Sequence, residues 1–289
     1  MHQLAEPGLN APSAHPAVAT LVRAPLPGGL APDRAALLVE RDRRPFALTG
    51  RWAGVAAIAG SEPTEVAQPG TGADAFALLD RQPAVAPGDP CVVGGGWFGY
   101  LGYGLGGEIE ALATAPPRPV SMPSFALAFY DHVVVADLDG RWWFEALWTP
   151  ERAERLSERH ALLAERLAAS PAPRSVRVGP FHVAAPGPTG HLAAVEAAKA
   201  RIAAGEFFQA NLCLRLDARI EGSAAALAVR VAEQLRPEHG AFLEGPWGAV
   251  VSASPELFLR RRGRHVRTEP IKGTAARAAD SGQDARAAA

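Results

Sequence analysis

Hydrophobic residues recur along the chain with two different periods, which predict strands in some segments and helices in others. Residues 46–59 alternate small apolar residues with Thr, Arg and Trp, a pattern typical of a strand pair. Residues 125–136 and 141–148 are two apolar runs joined by the turn 137–140, which predicts a β-hairpin. We predict further strands over 207–216, 248–260 and 265–268.

Helical spacing dominates elsewhere. Residues 150–169 place leucines at helical spacing with charged residues on the opposite face, which predicts an amphipathic surface helix. We predict further helices over 74–81, 189–205 and 223–236. Antiparallel hairpins flanked by helices indicate an α+β fold rather than a parallel βαβ array.

Composition divides the chain into two segments. Residues 1–20 are rich in Ala and Pro and predict a flexible N-terminus. Residues 170–180, SPAPRSVRVGP, have the composition of a linker. We therefore predict an N-terminal domain over 21–175, a linker over 176–187 and a second, partial domain over 188–289.

Composition and charge exclude several classes of protein. The 289 residues are 48% hydrophobic, which is enough to form cores and too much for a disordered chain. A formal net charge of -1 with no basic cluster argues against nucleic acid as a partner, and no apolar run is long enough to cross a membrane. Cys91 and Cys213 form no metal-type or CxxC pair, so we expect a reducing, cytoplasmic location.

Lysine is scarce in this chain. Of the 29 basic residues, only Lys199 and Lys272 are lysines. Where arginine serves for surface charge, a retained lysine favours a task that arginine cannot perform, such as acting as a deprotonated nucleophile. Chance retention explains either lysine equally well.

A Gly-rich stretch covers residues 91–110, where eight glycines are interleaved with Trp97, Phe98, Tyr100 and Tyr103. A phosphate-binding loop is one interpretation, but such a loop should leave a strand and open a helix, with a suitable Lys or Asp nearby. Alternating rings and glycines are more typical of closely packed backbone. We therefore favour a structural role.

Three motifs in the second segment contain chemically active residues: GEFFQANL at 205–212, SASPELF at 252–258 and PIKGT at 270–274. A strand that ends in Ser-Pro-Glu can hold the carboxylate of Glu256 at a cleft edge, and Lys272 can reach the same cleft from the adjacent strand. Neighbouring backbone N–H groups can hold an anionic ligand. The pattern favours a Lys/Glu pair acting on a small anionic substrate, although a surface Glu and Lys in turns would be the commoner outcome.

At these motifs the chain resembles the chorismate-utilising family that contains aminodeoxychorismate synthase component I and anthranilate synthase component I. Residues 37–40, 45–52 and 94–107 are also similar to family sequences, so the resemblance covers nearly the whole chain. It implies an α+β fold of the anthranilate synthase component I type. It also implies that the C-terminal part of the chorismate-binding domain is missing from this chain.

The PIKGT motif resembles the aminodeoxychorismate branch, because anthranilate synthases typically have Ala at the position of Lys272. The resemblance implies that Lys272 attacks C2 of chorismate with loss of the C4 hydroxyl, that Glu256 is the general acid/base, and that ammonia enters at C4. The product, 4-amino-4-deoxychorismate, belongs to 4-aminobenzoate and folate biosynthesis. Gly273, Thr274 and Gln209 would bind the substrate. Isochorismate and salicylate synthases carry a water-activating Lys where Gln209 stands here, which favours ammonia as the nucleophile.

Two departures from the family pattern concern an effector and a metal. The family's effector pocket, in which some members bind tryptophan, has Ser at the position of Glu40 and a Pro-aromatic pair near 238–240. This chain has Glu-His-Gly at 238–240, which argues against tryptophan. The family's magnesium-binding glutamates follow PIKGT at positions beyond Ala289, together with an arginine and a Gly-rich loop for the substrate carboxylates. The resemblance therefore implies Mg²⁺ but places no metal ligand in this chain.

The resemblance also implies a glutamine amidotransferase partner that supplies ammonia, since neither cysteine lies in a nucleophile-elbow context. Two alternatives stay open. One is an anthranilate synthase component I-like enzyme, which Lys272 disfavours, and the other is a truncated, non-catalytic binding or interaction protein. We expect the 289-residue chain by itself to form no aminodeoxychorismate.

Overall fold

The computed structural model describes residues 18–69, 74–81, 83–86, 88, 93–111, 120–271, 280 and 282. The strands are β1 (Ala19–Leu26), β2 (Phe46–Gly50), β3 (Ala57–Gly60), β4 (Glu65–Ala67), β5 (Val85–Ala86), β6 (Gly96–Leu101), β7 (Phe125–Tyr130), β8 (His132–Ala136), β9 (Trp142–Trp148), β10 (Arg177–Val178), β11 (His182–Val183), β12 (Leu216–Asp217), β13 (Ile220–Glu221), β14 (His239–Gly245), β15 (Gly248–Ser254), β16 (Leu257–Arg262) and β17 (His265–Glu269). The helices are α1 (Ala36–Val39), α2 (Ala75–Asp80), α3 (Gly106–Ile109), α4 (Ala153–Ala169), α5 (Gly187–Ala203) and α6 (Ala224–Leu235).

A large mixed sheet forms the centre of the fold. Within the described residues, eight strands form it in the order β15-β14-β2-β3-β8-β9-β1-β5. Every neighbouring pair in this order is antiparallel except β1 with β5. The predicted strand pair over 46–59, the hairpin turn around 137–140 and the α+β class with antiparallel sheets are confirmed. The single strand predicted over 125–136 is wrong, because this run divides into β7 and β8, which lie in different sheets.

This sheet crosses the predicted domain boundary. Strands β14 and β15 come from the second segment, and β14 pairs with β2 over five residue pairs. Helix α6 packs into the same core, where Ala225 and Val229 are buried. The predicted division at 176–187 is therefore wrong for the sheet, because residues of α6, β14 and β15 complete it.

The N-terminal limit also differs from the prediction. β1 begins at Ala19, inside the segment predicted to be flexible, and Thr20 is paired with Trp148 of β9. Backbone pairing with a neighbouring strand orders these two residues, whereas their Ala- and Pro-rich composition alone indicates a frayed end.

Helix α4 covers one face of the sheet, as its periodicity predicts. Leu156, Leu163 and Leu167 are its buried residues, and they join a core that includes Trp142 and Phe144 of β9. Full burial of one leucine side chain stabilises a fold by about 2 kcal/mol. Packing of this apolar stripe therefore holds the helix, and the predicted amphipathic helix is confirmed.

A smaller sheet, in the order β4-β7-β6, packs through aromatic rings against the large one. Phe98 of β6 stacks on Phe46 of β2 with ring centroids 4.2 Å apart, and Tyr130 contacts Phe46 edge to face. Gly99 lies so close to β7 that a Cβ atom there would collide with the carbonyl oxygen of Ala126. The Gly-rich stretch thus contributes a closely packed strand, in agreement with the structural role predicted for it.

The second segment is packed far less tightly. Helix α5 confirms the predicted helix, yet none of its residues is buried. The strand predicted over 207–216 is wrong, since the chain there is irregular until β12 begins at Leu216. Alternating polar and apolar residues favour a strand only where a neighbour accepts the backbone hydrogen bonds, and β12 pairs with β11 over two residues alone.

A buried carboxylate, Asp42, connects α1 to α4. Arg166 of α4 donates to both carboxylate oxygens of Asp42 at 2.8 Å. Arg159 donates to Oδ2 at 2.8 Å, and the Ser61 hydroxyl donates to the same oxygen at 2.7 Å. Arg166 also donates to the carbonyl oxygen of Leu38 in α1. The side chain of Asp42 is only 8% exposed, so these bonds replace the water that the carboxylate loses on folding.

The hydrogen bonds also fix the charge of Asp42. Burial alone would raise the pKa of this carboxyl, but the bonds from Arg166, Arg159 and Ser61 outweigh burial and lower the pKa to about 2 from an ordinary value of 3.8. Because the folded pKa lies below the unfolded one, Asp42 contributes its full stabilisation above pH 3.8. That contribution is lost as the pH falls toward 2.

We expect Asp42→Asn to lower the free energy of unfolding at pH 7 by about 3 kcal/mol, because it leaves Arg159 and Arg166 partly buried without their counter-ion. Urea unfolding measures this difference, which should shrink as the pH is lowered from 4 toward 2. The matched control is Asp217→Asn, in an exposed pair with Arg215, which should cost no more than about 0.5 kcal/mol. Equal losses in the two variants would contradict a special role for Asp42.

Candidate functional site

The Ser-Pro-Glu motif forms the link between β15 and β16. The hydroxyl of Ser254 accepts a hydrogen bond from the backbone N–H of Glu256 at 3.3 Å and donates to its carbonyl oxygen at 3.1 Å. This local turn fixes the backbone of Glu256 at the end of the strand. Its side chain is exposed, and within the described residues it makes no hydrogen bond or ion pair. The turn presents the carboxylate to solvent at the edge of the sheet. The predicted position of Glu256 at the edge of a cleft shared with Lys272 stays a prediction.

A buried histidine lies beside this strand end. His239 of β14 is the register partner of Ser254, is 7% exposed, and contacts Trp52 edge to face with centroids 5.3 Å apart. Its Nδ1 atom is buried and has no hydrogen-bond partner among the described residues. Sequence analysis missed His239, although its signal was visible in the Glu-His-Gly that replaces the family's Pro-aromatic pair.

A cleft of about 840 Å³ opens next to His239. One wall consists of Arg51, Trp52 and Leu138, and the other is the hairpin β16–β17 with Leu257, Leu259 and several arginines. The expectation of no basic cluster is wrong here. The sequence RRRGRHVR at 260–267 contains five arginines in eight residues, and the near-zero net charge of the chain conceals them.

Of the other residues predicted to act on the substrate, only Gln209 lies in the described part of the chain. Gln209 is exposed in the irregular stretch after α5, and within the described part of the chain no hydrogen bond or ion pair joins it to Glu256. Lys272, Gly273 and Thr274 lie outside the described residues. The Lys272–Glu256 pair therefore stays a prediction from the sequence.

Glu40, the predicted effector-pocket residue, follows α1 and lines a separate cavity of about 420 Å³. Its carboxylate accepts a hydrogen bond from Ser223 at 3.3 Å. Glu244 lines the same cavity, and burial, followed by the negative charge of Glu40, raises the pKa of Glu244. Asp42, Arg43 and Arg44 line the cavity as well, so a ligand there would meet side chains of both charges. The role of Glu40 as an effector residue stays a prediction.

Across the described part of the chain, no group of three or more His, Cys, Asp or Glu side chains is arranged to hold a metal ion. None of the described helices combines the length and the apolar character needed to span a bilayer.

Comparison with known proteins relates the chain to curated enzymes of two kinds. Aminodeoxychorismate synthase component 1 of Salmonella typhimurium is 28% identical over 205 residues, which are 66% of this chain and 40% of that protein. Anthranilate synthase component 1 of Thermus thermophilus is 33% identical over 223 residues, which are 74% of this chain and 46% of that protein. The chain thus spans less than half the length of either relative.

The fold is shared with a solved structure. The crystal structure of anthranilate synthase component I from Streptococcus pneumoniae aligns with a TM-score of 0.58 at 17% sequence identity. The alignment covers 92% of this chain and 56% of that one. It confirms the predicted anthranilate synthase component I-like fold.

A family match ties these observations together. The sequence matches the family described as chorismate binding enzyme over residues 34–289, which include the Ser-Pro-Glu turn, the arginine-rich hairpin and the PIKGT motif. Because this match extends over most of its length, the chain belongs to the chorismate binding enzyme family.

Proposed function

We propose that this chain carries part of an aminodeoxychorismate synthase component I, which converts chorismate and ammonia to 4-amino-4-deoxychorismate. The observation that carries the proposal is Lys272 in the PIKGT motif, where the resemblance implies Ala in anthranilate synthases. Identities of 28% and 33% to relatives of the two kinds do not separate the branches, so the choice depends on this residue. The competing candidates are an anthranilate synthase-like enzyme and a non-catalytic binding protein.

In the proposed reaction, Lys272 is the nucleophile at the substrate ring and Glu256 is the general acid and base. The neutral amine of Lys272 uses its lone pair to form a bond to C2 of chorismate, while Glu256 in its acid form protonates the C4 hydroxyl, which leaves as water. Ammonia then attacks C4, the bond between C2 and the lysine nitrogen breaks, and the carboxylate of Glu256 takes up the proton that the new amine loses. Each bond formed is matched by one broken, and Lys272 is regenerated.

Ammonia for the second step would come from a glutamine amidotransferase partner. Magnesium, implied by the resemblance, would neutralise the carboxylates of the substrate. The described residues do not fit a magnesium site, since they offer no cluster of carboxylates, so no step of the proposed reaction is assigned to the metal. Lys272, Glu256 and the partner's ammonia account for the bonds that change.

The proposal can be tested with Lys272→Ala in a version of the protein that spans the full length of its relatives. With chorismate and without ammonia, intact-mass measurement should detect the mass of chorismate less one water on the unsubstituted protein and none on Lys272→Ala. The chain offers a matched control in Lys199→Ala, because Lys199 is exposed on α5 and its Nζ contacts Glu196 at 3.0 Å. An adduct that persists in Lys272→Ala, or disappears in Lys199→Ala, would refute the assignment.

We expect Glu256→Gln in the same full-length version to reduce turnover by about 10²- to 10⁴-fold while chorismate binding is retained, because the amide keeps its shape but cannot transfer a proton. Steady-state kinetics and equilibrium binding separate the two effects. The control is Glu221→Gln, an exposed glutamate beside Arg219, which should leave turnover unchanged. Unchanged turnover in Glu256→Gln would contradict a catalytic role and leave Glu256 as an exposed carboxylate at the end of a strand.

We expect the 289-residue chain, expressed as it stands, to form no aminodeoxychorismate even with magnesium and high ammonia. Glu256 faces solvent, and the hairpin that follows it is largely exposed, with Phe258 at 88%. A site this open leaves the substrate dianion in water, where charge stabilisation is weak. Detection of the product by liquid chromatography from purified chain would contradict the expectation.

A further inference from the structure

The β16–β17 hairpin places like charges directly opposite each other. Arg260 faces Arg267 in its register, and these two form the like-charged pair, whereas Arg262 faces the imidazole of His265. Residues at 260 and 262 point to the same side of the strand, and so do their partners, because side chains alternate with a period of two. Like charges directly opposite in an antiparallel pair are destabilising. The repulsion between Arg260 and Arg267 therefore lowers the stability of the hairpin.

Little of this charge is compensated within the protein. Arg267 forms an ion pair with Glu269. Arg260, Arg262 and Arg264 have no carboxylate partner among the described residues, and Arg261 donates to the carbonyl oxygen of Gly263 instead. The chain as a whole has a net charge of -1, whereas residues 260–267 contain five arginines and no acidic residue.

The cleft that faces the hairpin has a volume and a lining that suit a small ligand. Its volume of about 840 Å³ lies in the range typical of small-molecule pockets. Trp52 and His239 belong to the opposite wall. Arg51 on that wall is already paired with Glu238 at 3.0 Å. Among the described residues, the hairpin side of the cleft therefore offers the unpaired Arg260 and Arg262 together with the Arg267–Glu269 ion pair, and the other side offers a ring surface.

We propose that this cleft binds a small anion that carries two or three linked phosphate groups. Arg260 and Arg262 lie about 7 Å apart along the strand, and the facing Arg267 lies about 5 Å across it. A di- or triphosphate concentrates its charge over a comparable span, and the planar guanidinium group binds phosphate oxygens bidentately. The ligand would remove the repulsion between the facing arginines.

Among the described residues, Glu256 does not line the cleft. Chorismate fits it less well, since the two carboxylates of chorismate are separated by a ring and carry one charge each. Nucleic acid also fits less well, because its binding surfaces extend along a backbone, whereas these arginines are confined to one hairpin that faces a wall.

The experiment is isothermal titration of the purified chain with inorganic pyrophosphate and with ATP, compared with Arg260→Thr/Arg262→Thr. The double variant should weaken binding of both ligands at least about tenfold, because each charge-assisted bond is a strong one. The matched control is Arg215→Thr/Arg219→Thr, which removes two exposed arginines that are paired with Asp217 and Glu221, and it should bind as the unsubstituted chain does. Equal affinity for the two ligands would identify the phosphates as the recognised group, and tighter binding of ATP would identify a nucleotide.

Stability provides an independent readout. Without ligand, the Arg260→Thr/Arg262→Thr variant should unfold at a temperature no lower than the unsubstituted chain, since it removes repulsion and introduces a residue favourable in strands. With pyrophosphate, only chains that keep both arginines should be stabilised. A variant that folds and still binds pyrophosphate as tightly as before would overturn the proposal.

Other results would overturn it equally clearly. One is absence of binding of both pyrophosphate and ATP at low ionic strength. Another is tighter binding of chorismate that the same double variant abolishes, and a third is tighter binding of a single-stranded oligonucleotide. None of these outcomes depends on turnover, so failure of the phosphate site and failure of the proposed synthase activity are distinguishable.

Discussion

The position of the candidate site depends on one antiparallel pairing, that of β14 with β2. These strands come from opposite ends of the chain, and their five residue pairs join the second segment to the sheet built by the first. Through β14 the pairing also fixes β15, and with it the turn that carries Glu256. Trp52 adds a hydrogen bond of 2.8 Å from its ring nitrogen to the carbonyl oxygen of Gly240. A change that separated these strands would displace the cleft, His239 and the Ser-Pro-Glu turn together.

The β2–β3 pair, the hairpin β8–β9 and helix α4 were predictable because each has a packing partner close in sequence. The leucine spacing of α4 reflects its packing against the preceding strand β9, and the turn at 137–140 joins β8 directly to β9. The pairing of β14 with β2 was not predictable in this way. The sequence of residues 239–245 does not indicate which strand it pairs with when that strand is nearly 200 residues away along the chain. The strand expected over 207–216 fails for the converse reason. Its alternation is genuine, but among the described residues no long strand lies beside it to accept its backbone hydrogen bonds.

The candidate site was predictable in chemistry but not in geometry. Ser-Pro-Glu and PIKGT identify residue types and their order, and the family match agrees with them. Sequence alone could not show that Glu256 faces solvent or that His239 is buried beside Ser254. The five arginines at 260–267 are evident in the sequence. The expectation of no basic cluster rested on the total charge, which does not show how charge is distributed in space. Only the strand register places Arg260 opposite Arg267.

The lack of burial along α5 has a consequence for how the chain loses its structure. Packing of an apolar face, rather than helix propensity, supplies most of the stability of a helix in a protein. Helix α4 of equal length is held by three buried leucines, whereas α5 has no comparable anchor. The two helices therefore belong to different cooperative units, and α5 opens at a free-energy cost well below that of the sheet. A denaturation midpoint measured on this chain therefore reflects unfolding of the large sheet with α4 and α6. It is insensitive to the loss of structure in the region between β10 and β13.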